Sequence, residues 1–118
     1  LSRIYPLGTV VELDRELLPK DLVESFESEQ MDFFVVISGR RVDLDNGHYM
    51  DYIGHGYPFG LRFDTSPLFL SNLLIKRVVS EGYSDTVDEH YCQEVLRKDY
   101  LDAGLISSVY AEEEVNED

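Results

Sequence analysis

Residues 32–54 read DFFVVISGRRVDLDNGHYMDYIG, two strand-like runs on either side of Asn46-Gly47. That dipeptide tolerates the positive φ angles of a type I′ turn, so the stretch predicts a β-hairpin and makes an antiparallel sheet the centre of the fold. With only Asn46 and Gly47 in the turn, Leu44 faces Tyr49, Val42 faces Asp51, Arg41 faces Tyr52 and Gly39 faces Gly54. In that register the apolar and polar side chains do not sort onto separate faces. A bulge or strong twist near Gly39-Arg40-Arg41 follows, of the kind a small bent sheet needs.

Outward from the hairpin, YPFGLRF (57–63) breaks the ladder. Pro58 has no N–H to donate and Gly60 opens backbone angles closed to other residues, so this is a turn. Upstream, YPLGTVVELD (5–14) opens on a Pro-Leu-Gly turn and continues into a β-branched run, predicting a strand near 8–13. Leu18, Leu22 and Phe26 follow at i, i+4, i+8 with Pro19 suited to a first helical turn, which predicts a short amphipathic helix covering one end of the sheet. In SPLFLSNLLIKRVVSEGY (66–83), Ser71 caps a single turn through Leu74 and Ile75 to Ser80 run as strand. Thr86 with Glu89 matches a capping box, and Val87, Tyr91 and Val95, joined by Leu96, form the stripe of a helix to about Leu101, with Gly104 as its stop.

The fold class is therefore α+β: a small, strongly bent antiparallel sheet of four or five strands, a candidate for closure as an SH3-like barrel, with a short inserted helix and a C-terminal helix. One globular domain is expected over 1–111, followed by a solvated acidic tail at 112–118. Eight tyrosines and six phenylalanines within 43% hydrophobic residues are enough for a core. The single cysteine, Cys92, excludes an internal disulfide, and no apolar run approaches the roughly 20 residues that span a bilayer. LSRIYPLG lacks the apolar core of a signal peptide, so a cytoplasmic location is expected. A formal charge of −14 repels phosphate backbones and anionic lipid, making nucleic acid and membrane poor partners and a basic protein a good one.

No catalytic or metal frame stands out. Asp43 to Gly47 superficially resembles a calcium loop, but its glycine falls at the fifth position, where that pattern needs it at the sixth. His90 and Cys92 lie two apart on a helix and point to different faces; His48 and His55 fall on opposite faces of a regular strand. Zinc lacks its four ligands, and Cys92 lacks a base that would make it a nucleophile. No phosphate-binding loop or nucleophile elbow is present. The expectation is a non-enzymatic protein without cofactor. The aromatics of DYIGHGYPFG (51–60) fill the core in the simpler reading and form an exposed platform for a partner in the other.

Taken in order, YPLGTVVEL, VVISGR, DYIGHGYPFG and IKRVVSEGYSD make the chain resemble a family of small proteins, domain of unknown function 4176. The motif residues map to Pro6, Gly8, Gly39, Arg40, Asp51, Tyr52, Gly54, Tyr57, Pro58, Gly60, Glu81, Gly82 and Tyr83. The chain departs from the family pattern at Phe59, where the family carries Glu, and in the helix-like segment at 15–30. The resemblance implies an accessory protein of Gram-positive type VII secretion that binds a secreted toxin or effector of the LXG type as chaperone or adaptor. Neutralisation of such a toxin as an immunity protein is the alternative, and a small-molecule or enzymatic role stands third. On either binding reading, Arg40, Asp51, Tyr52, Tyr57, Pro58 and Phe59 are the candidate partner-binding residues, with Asn46, Gly47, Gly54, Gly60, Gly82 and Tyr83 as structural motif positions.

Overall fold

The computed structural model describes residues 4–44, 49–63 and 66–102; for Leu101 and Asp102 the backbone alone is described. Asn46-Gly47, Gly104 and the acidic tail at 112–118 lie outside the described residues. Strands β1 (Val10–Leu13), β2 (Phe34–Asp43), β3 (Tyr49–Gly56), β4 (Leu68–Leu70) and β5 (Ile75–Ser80) form one antiparallel sheet in the order β4-β3-β2-β1-β5. Helix α1 (Lys20–Ser28) connects β1 to β2. A second helix, α2, starts over Thr86–His90, passes through a π-helical segment at Tyr91–Leu96 and ends over Arg97–Asp102.

The hairpin forms, with its register moved one residue from that of a two-residue turn. Asp43 pairs with Tyr49, Arg40 with Tyr52 and Gly39 with Ile53, so Gly54 lies opposite Ile37 instead of Gly39. The bulge sits between Ile37 and Gly39, adjacent to the predicted position, and Arg41 takes a left-handed φ of 44° just beyond it. A bulge adds twist to the strand that carries it, and here the twist has a visible consequence. β4 and β5 occupy opposite edges of the sheet, yet only Ser71–Leu74 connect them. A connection that short spans at most about 3.5 Å per residue, so the sheet must curl until its edges approach. The hydrogen-bond ladder stays open between β4 and β5, and the sheet is bent without being closed as a barrel.

The linking turn is the one the sequence predicts: Ser71 Oγ accepts from Leu73 N–H at 3.2 Å and a 3-10 turn over Asn72–Leu74 leads into β5. The three-residue β4 is an addition to the sequence reading. Helix α2 differs in two respects. Its cap is Asp85, whose carboxylate accepts from Asp88 N–H at 3.0 Å, and Thr86 is the first helical residue. Its buried stripe is Cys92, Leu96 and Tyr100, while Val87, Tyr91 and Val95 face outward. These three join Val11, Leu13, Val35, Ile37, Tyr52 and Leu70 of the sheet, with Leu18 and Phe26 from the α1 region, in a single core. Alternation along β1 and β2 puts those valines, leucine and isoleucine on one face, as strand geometry requires.

Candidate partner-binding site

The six candidate residues separate into an internal group and a surface group. Arg40, directly after Gly39 at the bulge, turns inward towards α2, and only 7% of its side chain is exposed. Its guanidinium pairs with Asp88 at 2.8 Å, donates to Cys92 Sγ at 3.4 Å and lies 5.4 Å from the centre of the Tyr91 ring. One cation thereby fastens the first two turns of α2 to β2. Asp51 does the same at the other end of the helix: its carboxylate accepts from Tyr100 O–H at 2.9 Å in the interior and from Asn72 N–H at 2.8 Å in a half-buried position. The next residue, Tyr52, is fully buried; its hydroxyl accepts from Tyr5 N–H at 3.1 Å and its ring stacks on that of Tyr5. Arg40, Asp51 and Tyr52 are therefore bolts of the fold.

The Arg40 pair predicts a pH signature. Burial opposes ionisation of Asp88, but hydrogen bonds from Arg40 and Ser84 and the charge of Arg40 outweigh it and hold the carboxyl below its ordinary value. A carboxyl whose pKa is depressed by folding contributes stability above its unfolded value, and that contribution disappears as pH falls through the folded one. Wild type should exceed Asp88→Asn in melting temperature near neutral pH, with the gap closing below about pH 4. A gap constant from pH 7 to 3 would show that the pair does not titrate with the fold.

The glycine and tyrosine positions of the motif also have internal explanations. Pro6 to Thr9 form a turn closed by Thr9 N–H on Pro6 O at 3.2 Å, with Gly8 at φ 86°. Gly82 lies against this turn and donates its N–H to Thr9 Oγ1 at 3.0 Å. Gly54 packs on the backbone of Val36, and the exposed Tyr83 hydroxyl lies 3.3 Å from Asp85, the helix cap.

The surface group is the β3–β4 connection. Tyr57 N–H bonds to Phe34 O at 3.1 Å, the Tyr57-Pro58 peptide is cis, and Gly60, at φ 73°, returns its N–H to Gly56 O at 2.9 Å. This anchored corner presents Tyr57 (52% exposed), Phe59 (43%), Leu61 (72%) and Phe63 (106%) to solvent. Arg62 lies 4.9 Å from the centre of the Phe59 ring. Sequence reasoning named Tyr57 and Phe59 but passed over Leu61 and Phe63. The available signal was that apolar residues in a stretch already read as a turn have no strand to bury them.

Fold and site together define an α+β domain with a bent sheet clasped by a C-terminal helix and an exposed aromatic-rich corner at the β3–β4 connection. The family model "Domain of unknown function (DUF4176)" matches residues 4–91, most of the chain, and the protein belongs to that family. No curated protein and no solved structure gives a match. Among the described residues, no helix is long and apolar enough to cross a membrane, and no three His, Cys, Asp or Glu side chains gather to hold a metal ion.

Proposed function

We propose that this protein is a non-enzymatic binding module for another protein, with the β3–β4 corner as its contact surface. The observation that carries the reading is the corner itself: four large apolar side chains within residues 57–63, all substantially exposed on an anchored turn. Contiguous apolar surface of this kind costs solubility and marks interaction sites. Aromatic side chains are favoured as interface anchors because they bury much area for little entropy. The family resemblance narrows the partner to a secreted toxin or effector, bound in the cytoplasm before type VII export, with the protein as its chaperone or adaptor. A formal charge of −14 favours the immunity reading as the alternative, since an acidic surface can occupy a nuclease's substrate site.

Replacing Phe59 with Glu tests the proposal. Phe59 is 43% exposed, so folding should be unchanged, while affinity for an effector encoded beside it should fall about tenfold or more in a co-purification titration. Unaltered binding would remove the corner from the contact. Loss of effector export without self-poisoning indicates a chaperone; loss of protection against delivered toxin indicates immunity.

A further inference from the structure

Beside the aromatic corner, between it and α1, runs a groove of about 120 Å³ floored by Leu22, Phe26, Met31 and Leu68 and walled by Phe59, with Arg62 also in its lining. Its floor is built by the way α1 stops. Gln30 takes a left-handed φ of 57°, its N–H bonds to Glu27 O at 3.0 Å, and Met31 N–H bonds back to Phe26 O at 3.1 Å. This is the Schellman termination, in which the residue after the left-handed position meets the side chain five residues earlier. Here that brings Met31 to Phe26, and both lie against Gly56, where a Cβ would approach Met31 Cε to 3.2 Å and Phe26 Cε1 to 3.9 Å. The groove is well below the roughly 300–1,000 Å³ of small-molecule sites and has room for one side chain.

Helix α1 and the residues after it are anionic, and Glu29 is the acid among them that lines the groove, which Arg62 of the corner also lines. Residues 20–32 hold Asp21, Glu24, Glu27, Glu29 and Asp32 against Lys20. The last turn has no basic residue, so Glu27 and Glu29 add to the negative end of the helix dipole where cations would be stabilising. Arg15 pairs with Glu27 at 2.7 Å, and Glu29, at the groove, has no cation partner among the described residues.

We infer that the groove receives a cationic segment of the protein partner, one large apolar side chain entering between Phe26, Met31 and Phe59 while flanking Lys or Arg face the acidic end of α1. This deepens the reading of the β3–β4 corner as a contact surface, on which it rests. Apolar burial sets the anchor, and charge within a Debye length sets its neighbours.

The test uses the full chain, isotope-labelled, with three short synthetic peptides: a central leucine flanked by lysines, a central serine flanked by lysines, and a central leucine flanked by glutamates. The leucine–lysine peptide should shift NMR signals of Leu22, Met31 and Phe59 in a saturable titration, and each control should bind about tenfold or more weakly. Ser25→Trp, a change on the exposed groove side of α1, should fill the groove and reduce affinity by a similar factor with amide dispersion unchanged. Glu29→Lys should weaken binding without filling it. Equal binding of the serine–lysine peptide, shifts concentrated at Val87, Tyr91 and Val95, or indifference to both substitutions would overturn the inference. If Phe59→Glu still abolishes effector binding while the peptides ignore the groove, only the groove assignment fails. If the peptides behave as expected but effector binding ignores Phe59→Glu, it is the contact-surface reading that fails.

Discussion

Asp51→Ala is expected to lower the melting temperature by on the order of 10–20 °C, the largest effect of any single truncation considered. The carboxylate sits in the interior and holds two donors from distant parts of the chain, Tyr100 O–H in α2 and Asn72 N–H in the turn joining the sheet edges. A hydrogen bond to a charged acceptor is worth about 1.5–3 kcal/mol, and removing the acceptor leaves the fully buried Tyr100 hydroxyl without that partner. The sum is about 3–5 kcal/mol, a large part of the roughly 5–15 kcal/mol that stabilises a domain. Tyr100→Phe deletes one donor and leaves the other bond, so about 1–2 kcal/mol is expected. Because both substitutions remove the same contact, the double variant should fall short of additivity by about 1 kcal/mol or more in a thermal-denaturation cycle. A melting temperature within about 3 °C of wild type for Asp51→Ala would show that helix and turn are held elsewhere. The result matters for function too: any lost partner binding in this variant would report lost structure, whereas the same loss in Phe59→Glu would report the contact.

That distinction was only partly legible in the sequence. Elements written in local chemistry could be read directly: the β-branched start of β1, the Ser71 cap and its single turn, and the termination of β3 at Pro58 and Gly60. Features decided by distant partners could not. Helix α2 carries apolar side chains at i, i+4, i+8 twice, on Val87-Tyr91-Val95 and on Cys92-Leu96-Tyr100, and periodicity gives no reason to bury one stripe over the other. The choice falls to pairs far apart in sequence, Asp51 with Tyr100 and Arg40 with Asp88, which turn the second stripe inward. The hairpin register depends in the same way on where the bulge falls, which sets Ile37 opposite Gly54. Of the site candidates, sequence spacing could show that Asp51 and Tyr52 belong to a motif with Tyr57 and Pro58, but not that β3 carries the first two inside and ends before the others.

Gly82→Ala separates the packing account of the motif from a merely conformational one, because the two predict opposite signs. Gly82 has no left-handed φ, so on backbone entropy alone alanine should stabilise by about 0.4–1 kcal/mol. The structure leaves no space for the added methyl. A Cβ there would overlap Leu7 O and come within 2.8 Å of Thr9 N and 2.9 Å of Gly8 C, all backbone atoms of the Pro6–Thr9 turn. A side-chain neighbour could rotate away; a backbone neighbour moves only with the turn. That turn is itself tied to the sheet through Gly8 N–H on Ile37 O at 2.7 Å and Ile37 N–H on Thr9 O at 2.9 Å. Relief must therefore come from parting β5 from the start of β1, where Val10 pairs with Ser80, and from losing the Gly82 N–H bond to the fully buried Thr9 hydroxyl. Overpacking of about 1–3 kcal/mol and the lost hydrogen bond at about 1 kcal/mol, less the entropic gain of about 0.4–1 kcal/mol, give a net destabilisation of about 1–3.5 kcal/mol. Thermal denaturation reads the magnitude, and faster hydrogen exchange at Gly82 and Ile37 N–H locates it. A variant as stable as wild type, or more so, would mean that the two halves of the motif do not meet at this contact.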